Sequence, residues 1–351
     1  MKTLNIASIP GDGVGKEIMA EAIRVLEKVA QVHGGLQFKF EEFPYSCDYY
    51  LKHGAMMPED GMDRLSQFDS VFLGAVGDAS KVPDHISLWG LLLKIRQEFQ
   101  QEINIRPAKL LKGINSKLSN PKDFDIIVVR ENSEGEYSSI GGRIFHDDNE
   151  IAIQNNVFSK RATKQAMNIA FDLASKRKGL VTSATKSNGI FHAMPFWDEI
   201  FDEIASKHPN IKSESKHIDA LAAYFITHPH ELDVVVGSNL FGDILSDVGA
   251  AIMGSIGIAP SANLNLNGKY PSMFEPVHGS APDIVGKGIA NPIGQIWTAK
   301  MLLEFNGEAN IAEHLLKVIE AVTADGFMTP DLGGKYKMTE VTDEIIKRLD
   351  K

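Results

Sequence analysis

Apolar and polar positions along the chain follow two periods. Short runs rich in β-branched residues lie at 4–9 (LNIASI), 70–74 (SVFLG), 125–130 (DIIVVR), 179–184 (GLVTSA) and 233–238 (DVVVGS), the pattern of buried strands. Between them the spacing lengthens: in 16–32, Ile18, Met19, Ala22, Ile23, Leu26, Val29 and Ala30 recur at helical intervals, which predicts an amphipathic helix. Gly54 is placed to close a helix ending KHG, and Pro58 to open the next segment. Strands alternating with helices predict an α/β fold. The stretch 253–294 is rich in Gly, Pro, Ser and Asn. A connection so long without structure is unusual, so functional loops are expected there.

With 351 residues the chain is long enough for two packed domains or one large one. No run of about 18 apolar residues is present, so no membrane span is expected, and the opening MKTLNIASIPGDG lacks the cleavage pattern of a signal peptide. A cytoplasmic location is expected. Cys47 is the only cysteine, which excludes an intrachain disulfide and any cysteine-built metal site. Lys plus Arg number 36 against 46 Asp plus Glu, a net charge of −10, which repels nucleic acid and anionic lipid. Neither is expected as a partner. An acidic protein that binds a dianion must then gather arginines locally.

Several motifs answer that demand. Arg96, Arg106 and Arg130 stand in KIRQEF, NIRPAK and VVREN beside apolar residues. Three guanidinium forks could clamp a carboxylate, against the alternative of three separate surface arginines. Asp243 and Asp247 lie four apart in FGDILSDVG. A helix beginning near Gly242 would put both on one face, where they repel unless a hard divalent cation sits between them. Their alternative reading is as first-turn acids favoured by the helix dipole.

Gly11-Asp12-Gly13-Val14-Gly15-Lys16 follows a strand and opens a helix, a context suited to phosphate, but its spacing equally suits a tight turn. Tyr137, Lys186 and Asp219 each sit beside a predicted strand or helix and are unspecific singly. The turn-rich HGSAPD brings His278, Gly279, Ser280, Ala281 and Asp283 together, with Asn291 following. A carboxylate at 283 could accept both hydroxyls of an adenosine ribose and repel a 2′-phosphate.

IPGDGVGKE, RENSEGEYSS, TSATKSNG, SNLFGDILSD and FEPVHGSAPDI together resemble, in order and over essentially the whole chain, the isopropylmalate and isocitrate dehydrogenase family of metal-dependent decarboxylating dehydrogenases. SCDYYLKHGAMMPED, VPDHISLWGLLLKIR and GSIGIAPSANLN resemble its D-malate and tartrate dehydrogenases. The resemblance implies an isopropylmalate dehydrogenase-like α/β/α two-domain fold that is not a standard Rossmann fold. A discontinuous cofactor-side domain would take 1–100 and 257–351, and a substrate, metal and dimerisation domain 101–256. It further implies that Asp243 and Asp247 bind Mg²⁺ or Mn²⁺ with Asp219 of a second subunit, that Lys186 also crosses over, and that the protein is a homodimer with shared active sites. NAD would bind at His278, Gly279, Ser280, Ala281, Asp283 and Asn291, and K⁺ is a further candidate ion.

In the chemistry so implied, Lys186, through water and Asp219, takes the C2 hydroxyl proton of a 2-hydroxy dicarboxylate as hydride leaves for the nicotinamide. The metal stabilises the enolate formed as CO₂ departs, and Tyr137 protonates C3. D-malate would give pyruvate. Isocitrate-acting members carry Ser and Asn where Gly90 and Leu92 stand here, so a third carboxylate finds no partner. Trp89 replaces the acidic residue of isopropylmalate enzymes and favours a small substituent. Activity on tartrate is expected, and 3-isopropylmalate dehydrogenase of leucine biosynthesis is the alternative. NAD over NADP rests on Asp283 and Ile284, where NADP-dependent relatives carry Lys and Tyr. Silent regulatory subunits of the family lose catalytic positions that all stand here, and phosphoryl transfer through GDGVGK lacks the Ser or Thr that magnesium needs.

Overall fold

A computed structural model describes residues 1–350. The chain divides into two compact units, one of Met1–Gln101, Leu110–Pro121 and Ala250–Lys351, the other of Glu102–Lys109 and Lys122–Gly249. Segment 110–121 thus belongs with the first unit, although it falls inside the expected 101–256 domain. Ser116 Oγ donates to Ile252 O at 2.5 Å. Gly113, at φ +81°, lies so close to Thr323 that a Cβ would meet its carbonyl oxygen at 2.3 Å.

The first unit opens with β1 (Lys2–Gly11), α1 (Gly15–His33), β2 (Leu36–Glu42), α2 (Cys47–His53) and α3 (Gly61–Leu65). It continues with β3 (Ser70–Ala75), α4 (Asp84–Ser87) and α5 (Leu93–Glu98). The second unit contributes β4 (Ile103–Lys109), β5 (Asp125–Glu131), the hairpin β6 (Gly141–Ile144) and β7 (Ile151–Gln154), and α6 (Lys160–Ala174). Next come β8 (Leu180–Thr185), α7 (Ala193–Ala205), β9 (Lys212–His217), α8 (Ile218–Thr227), β10 (Val234–Gly237) and α9 (Asn239–Ile252). The chain then returns to the first unit with β11 (Pro260–Leu264), β12 (Ser272–Pro276), α10 (Ile293–Phe305), α11 (Ala309–Ala324) and α12 (Met338–Arg348).

Within the first unit the strands run β2-β1-β3-β12-β11, parallel except for β11 against β12. Within the second they run β4-β5-β10-β8-β9, parallel except for β4 against β5. The expected α/β class holds, and so does the departure from a Rossmann order. Helix α1 buries Ile18, Met19, Ala22, Leu26 and Val29 of the predicted stripe together with Val25, while Ile23 and Ala30 are only partly buried. Strands β3 and β10 are buried along their whole length, which explains their unbroken apolar runs. Gly54 caps α2 in the left-handed conformation.

The expected loop region 253–294 is corrected by the structure, since it contains β11 and β12. Its polar residues conceal strands because they are buried and satisfied. Asn265 Nδ2 donates to Phe99 O at 2.8 Å, Asn265 N to Ser272 Oγ at 3.0 Å, and Asn263 Nδ2 to Glu275 at 2.8 Å. Cys47 is free and buried. Burial, reinforced by Asp12, pushes its thiol up to about 12, so it packs rather than reacts. Among the described residues no helix is long and apolar enough to cross a membrane.

Candidate active site

In the second unit, adjacent strand ends and one helix converge on Asp243. Gly237 of β10 pairs in register with Arg130 of β5, so the chain leaving β10 passes directly over that arginine. Gly242 makes the passage possible: a Cβ there would meet Arg130 Cβ at 2.6 Å. The Gly-Asp pair of FGDILSD therefore has a packing reason, and Asp243 follows at once. Its Oδ1 accepts from Arg106 Nη1 at 3.0 Å and from Arg130 Nη1, and its Oδ2 from the Tyr137 hydroxyl at 2.8 Å. Arg106 also donates to Ser246 Oγ at 2.8 Å and lies 3.9 Å from Asp247 Oδ1. Arg130 donates to Asn239 Oδ1 through Nε at 2.9 Å and Nη2 at 2.7 Å, and its guanidinium carbon lies 5.3 Å from the Tyr137 ring centroid. At 2% exposure such a cation requires this full set of partners.

Helix α9 begins at Asn239, earlier than the expected start near Gly242. Leu240 N donates to Glu136 Oε2 at 3.1 Å, while Ser238 Oγ donates to Glu136 Oε1 at 3.0 Å, and these acceptors let the helix begin sooner. No acid then lies in its first turn, so the dipole reading of the aspartate pair falls. What remains is two carboxylates one turn apart, facing Arg106. Asp247 stays 59% exposed on its side chain. Partial burial and neighbouring Asp243 raise its pKa, against the pull of Arg106 and Arg130. Two carboxylates one turn apart, at 3.0 and 3.9 Å from Arg106 Nη1, are of the type that a hard divalent cation takes.

The loop that carries Tyr137 is tied down by its own acids. Buried Glu131 accepts from Ser133 N at 2.9 Å, Ser133 Oγ at 2.6 Å and Glu134 N at 3.1 Å. Burial lifts its pKa to about 7 against those three bonds. Glu134 accepts from Ser159 N at 2.6 Å and Oγ at 2.7 Å, at the cap of α6. Sequence reasoning passed over Glu131, Glu136, Asn239 and Ser246. The acids crowded around one tyrosine in ENSEGEY were the available signal.

Lys186, just beyond β8, donates to Asp219 Oδ1 at 2.7 Å, with side-chain exposures of 30% and 68%. That bond holds Asp219 below the usual carboxylate range. Among the described residues no three His, Cys, Asp or Glu side chains gather to hold a metal ion. Within a single chain, then, Asp219 does not join Asp243 and Asp247.

In the first unit, Arg96 on α5 pairs with Glu275 of β12 at 2.7 Å, both nearly buried. Leu92 is half-buried against the core and Trp89 is 40% exposed. Both belong to a π-helical turn, Leu88–Leu92, a distortion common at functional sites. Gly90 packs so closely that a Cβ would meet Met56 Cγ at 2.9 Å.

The glycine motif proves to be a packed turn. Gly11 and Gly13, both at positive φ, would put a Cβ 1.9 Å from Ala75 O and 2.0 Å from Ser280 O. Asp12 accepts from Cys47 N and Gly77 N, each at 2.9 Å. Val14 N donates to Ser280 O at 2.8 Å, and Ser280 Oγ donates to Gly77 O. The motif's work is therefore to hold the 278–283 loop. There Ala281 has a φ of 41° and a Cβ on Gly279 would meet nothing, which leaves the backbone open to a ligand, while His278 Nε2 is buried without a hydrogen-bond partner. Asp283 is exposed. Asn291 is engaged elsewhere, donating to Asp331 at 3.0 Å and accepting from Ile293 N at 3.0 Å.

A cluster of arginines, carboxylates and tyrosine on an α/β frame defines a class, and comparison agrees: the chain belongs to the isocitrate/isopropylmalate dehydrogenase family, whose profile matches residues 5–348. It is 64% identical over 351 residues to a probable tartrate dehydrogenase/decarboxylase of Bacillus subtilis (strain 168), covering 100% of this chain and 99% of that one. To the D-malate dehydrogenase (decarboxylating) of Escherichia coli (strain K12) it is 51% identical over 357 residues, covering 99% of each. Among solved structures, isocitrate dehydrogenase from Methylococcus capsulatus superposes with a TM-score of 0.88 at 30% identity, over 99% of this chain and 100% of that one. The expected family and fold hold. Relatives of these names do not favour the 3-isopropylmalate alternative.

Proposed function

We propose that the protein oxidises and decarboxylates D-malate to pyruvate and CO₂ with NAD and Mg²⁺ or Mn²⁺, and that it also acts on tartrate. The observation that carries this reading is the convergence of Arg106, Arg130 and Tyr137 on Asp243, with Asp247 one turn away. When bound, a divalent cation supplies a Lewis acid for the C2 oxygen, and NAD supplies the hydride acceptor. Asp243 and Asp247 would hold the cation, and the open backbone at Gly279 suits the dinucleotide. Arg106 and Arg130 offer forks to the carboxylate that departs. Lys186 and Asp219 take the C2 hydroxyl proton; Tyr137 delivers one to C3. Gly90, pressed against Met56, has no room for a serine that would recognise a third carboxylate, which disfavours isocitrate.

A homodimer with shared sites follows from the same reading. Its supports are the outlying Lys186–Asp219 pair and several exposed apolar side chains of the second unit. Helix α8 buries only Leu221 and Phe225 and leaves Ile226 47% exposed, while Ile244 of α9 is 45% exposed. On the β6–β7 hairpin, Ile144, Phe145, Ile151 and Ile153 are 48%, 62%, 48% and 49% exposed. Exposed apolar side chains on these elements suit burial against a second copy.

NADH formation from D-malate, tartrate, isopropylmalate and isocitrate, with and without Mn²⁺, tests the reading. D-malate should be turned over only with metal, and NADP should be a poor substitute. Metal-independent turnover, or a preference for NADP or for isocitrate, refutes it. Sedimentation showing a fully active monomer removes the shared site.

A further inference from the structure

Tyr137 and Asp243 come from different parts of the chain, yet their hydroxyl and carboxylate meet at 2.8 Å. What sets that meeting is the residue beside the tyrosine. Glu136 spreads its carboxylate over the start of α9, one oxygen accepting from Ser238 Oγ at 3.0 Å and the other from Leu240 N at 3.1 Å. The same loop touches the helix end twice more. Asn239 Nδ2 donates to Glu134 O at 2.9 Å, and a Cβ on Gly135 would lie 3.3 Å from Asn239 Cβ. Asn239, held in this way, presents its Oδ1 to two nitrogens of Arg130. A carboxylate on the first amides of a helix is stabilised by both the hydrogen bonds and the dipole. It fixes the helix N-terminus and the neighbouring residue in one move.

We propose that Glu136 is a positioning residue that locks the Tyr137 loop to the N-terminus of α9, so that the proton donor and the Asp243–Asp247 carboxylates keep one geometry. The inference rests on the proposed function for its catalytic consequence, but the lock itself is a property of the chain. Neither Tyr137 nor Asp243 is bound to Glu136, so Glu136 acts through them. Its loss lets the tyrosine hydroxyl wander without removing any catalytic side chain from the chain. Misplacement on the scale of 1 Å lowers the step that Tyr137 serves by up to about 100-fold. Hydride transfer, which does not use Tyr137, is affected less. Keto acid then leaves the enzyme before it loses CO₂.

The test compares wild type, Glu136→Ala and Glu136→Gln by two readouts. The first is the ratio of keto acid to pyruvate released per NADH formed from D-malate. The ratio should rise about tenfold or more in Glu136→Ala and by an intermediate amount in Glu136→Gln, whose amide keeps an acceptor for one donor only. A merely structural defect lowers both products together and leaves the ratio unmoved, which overturns the proposal. The second, made without substrate or metal, is hydrogen exchange at the Leu240 and Phe241 amides. Exchange at Leu240 should quicken about tenfold in Glu136→Ala, the equivalent of one lost hydrogen bond. Unchanged exchange with an unchanged ratio refutes the lock. Wild type that forms no pyruvate at all, alongside quickened exchange in the variant, refutes the proposed function and leaves the lock standing.

Discussion

Asp243 and Asp219 are both carboxylates of the same unit, yet their surroundings differ. Asp243 is 30% exposed on its side chain and meets Arg106, Arg130 and Tyr137 from β4, β5 and the loop beyond. Asp219 is 68% exposed and meets one charged side chain, Lys186, with backbone amides at the start of α8. Packing fixes the first group of side chains from several directions at once; the second has a single ion pair between side chains, of the kind that solvent screens, and local backbone bonds. Under the proposed function this divides the reaction by origin. Groups that serve decarboxylation are oriented within the chain, while those that serve oxidation face outward and gain their setting from a second copy.

The largest effects should fall on the two halves of the reaction separately. Tyr137→Phe removes the donor to C3 and should slow decarboxylation about 10²- to 10⁴-fold, while NADH formation falls far less. Lys186→Met should slow oxidation by a similar factor yet leave decarboxylation of added keto acid largely intact. Stopped-flow absorbance for NADH and a coupled assay for pyruvate separate them. Equal losses in both half-reactions for either variant would abolish the division.

Mixing inactive subunits sharpens the division next. If Lys186 and Asp219 serve the metal carboxylates of the partner, Lys186→Met and Asp247→Asn chains refolded together should form heterodimers with one intact site. About a quarter of wild-type activity should return on random pairing. Each variant refolded alone should stay inactive, and a mixture that also stays inactive would place the whole site within one chain.

Stability should separate the two groups as well. Arg130→Met leaves Asn239 and Asp243 without their buried donor and should cost about 3 kcal/mol in urea unfolding. Lys186→Met, 30% exposed with an exposed partner, should change stability by about 0.5 kcal/mol at most. Comparable losses would mean that the outward pair is as firmly built as the inward one.

Much of the inward group is legible in the sequence because its chemistry is carried by ordered motifs: Arg130, Asp243 and Asp247 are singled out by residue type and context, and Tyr137, unspecific by itself, by the family resemblance of RENSEGEYSS. The supports of those residues are not legible. Glu136 and Asn239 act through bonds to distant backbone and side-chain atoms, and no local period announces such bonds. Strands β11 and β12 were hidden for a related reason. Buried Asn263, Asn265 and Ser272 bond one another and nearby carbonyls, so burial there leaves no hydrophobic trace. The glycine turn at 11–15 was ambiguous because open space for a phosphate and close contact with backbone select the same residue, and only the 1.9 Å and 2.0 Å approaches decide for contact.

A further expected effect is a gradual pH dependence lodged beneath the inward group. Burial raises the Glu131 carboxyl from 4.5 to about 7, the opposing pulls being the Ser133 and Glu134 bonds, with Glu134 adding repulsion. Arg161 draws on both acids and pairs with Glu102 at 2.7 Å. Since the folded chain holds the Glu131 proton more tightly than the unfolded one, its contribution is complete below about pH 4.5. It is lost as pH rises through about 7, and the loss reaches at most about 3 kcal/mol. Glu131→Gln stays neutral throughout and should lack that slope. Urea unfolding of both proteins from pH 5 to pH 8 should therefore show the variant gaining on wild type as pH rises. Parallel curves would mean that the three hydrogen bonds, not burial, govern this carboxyl, and that the Tyr137 loop is built on a charge rather than on a proton.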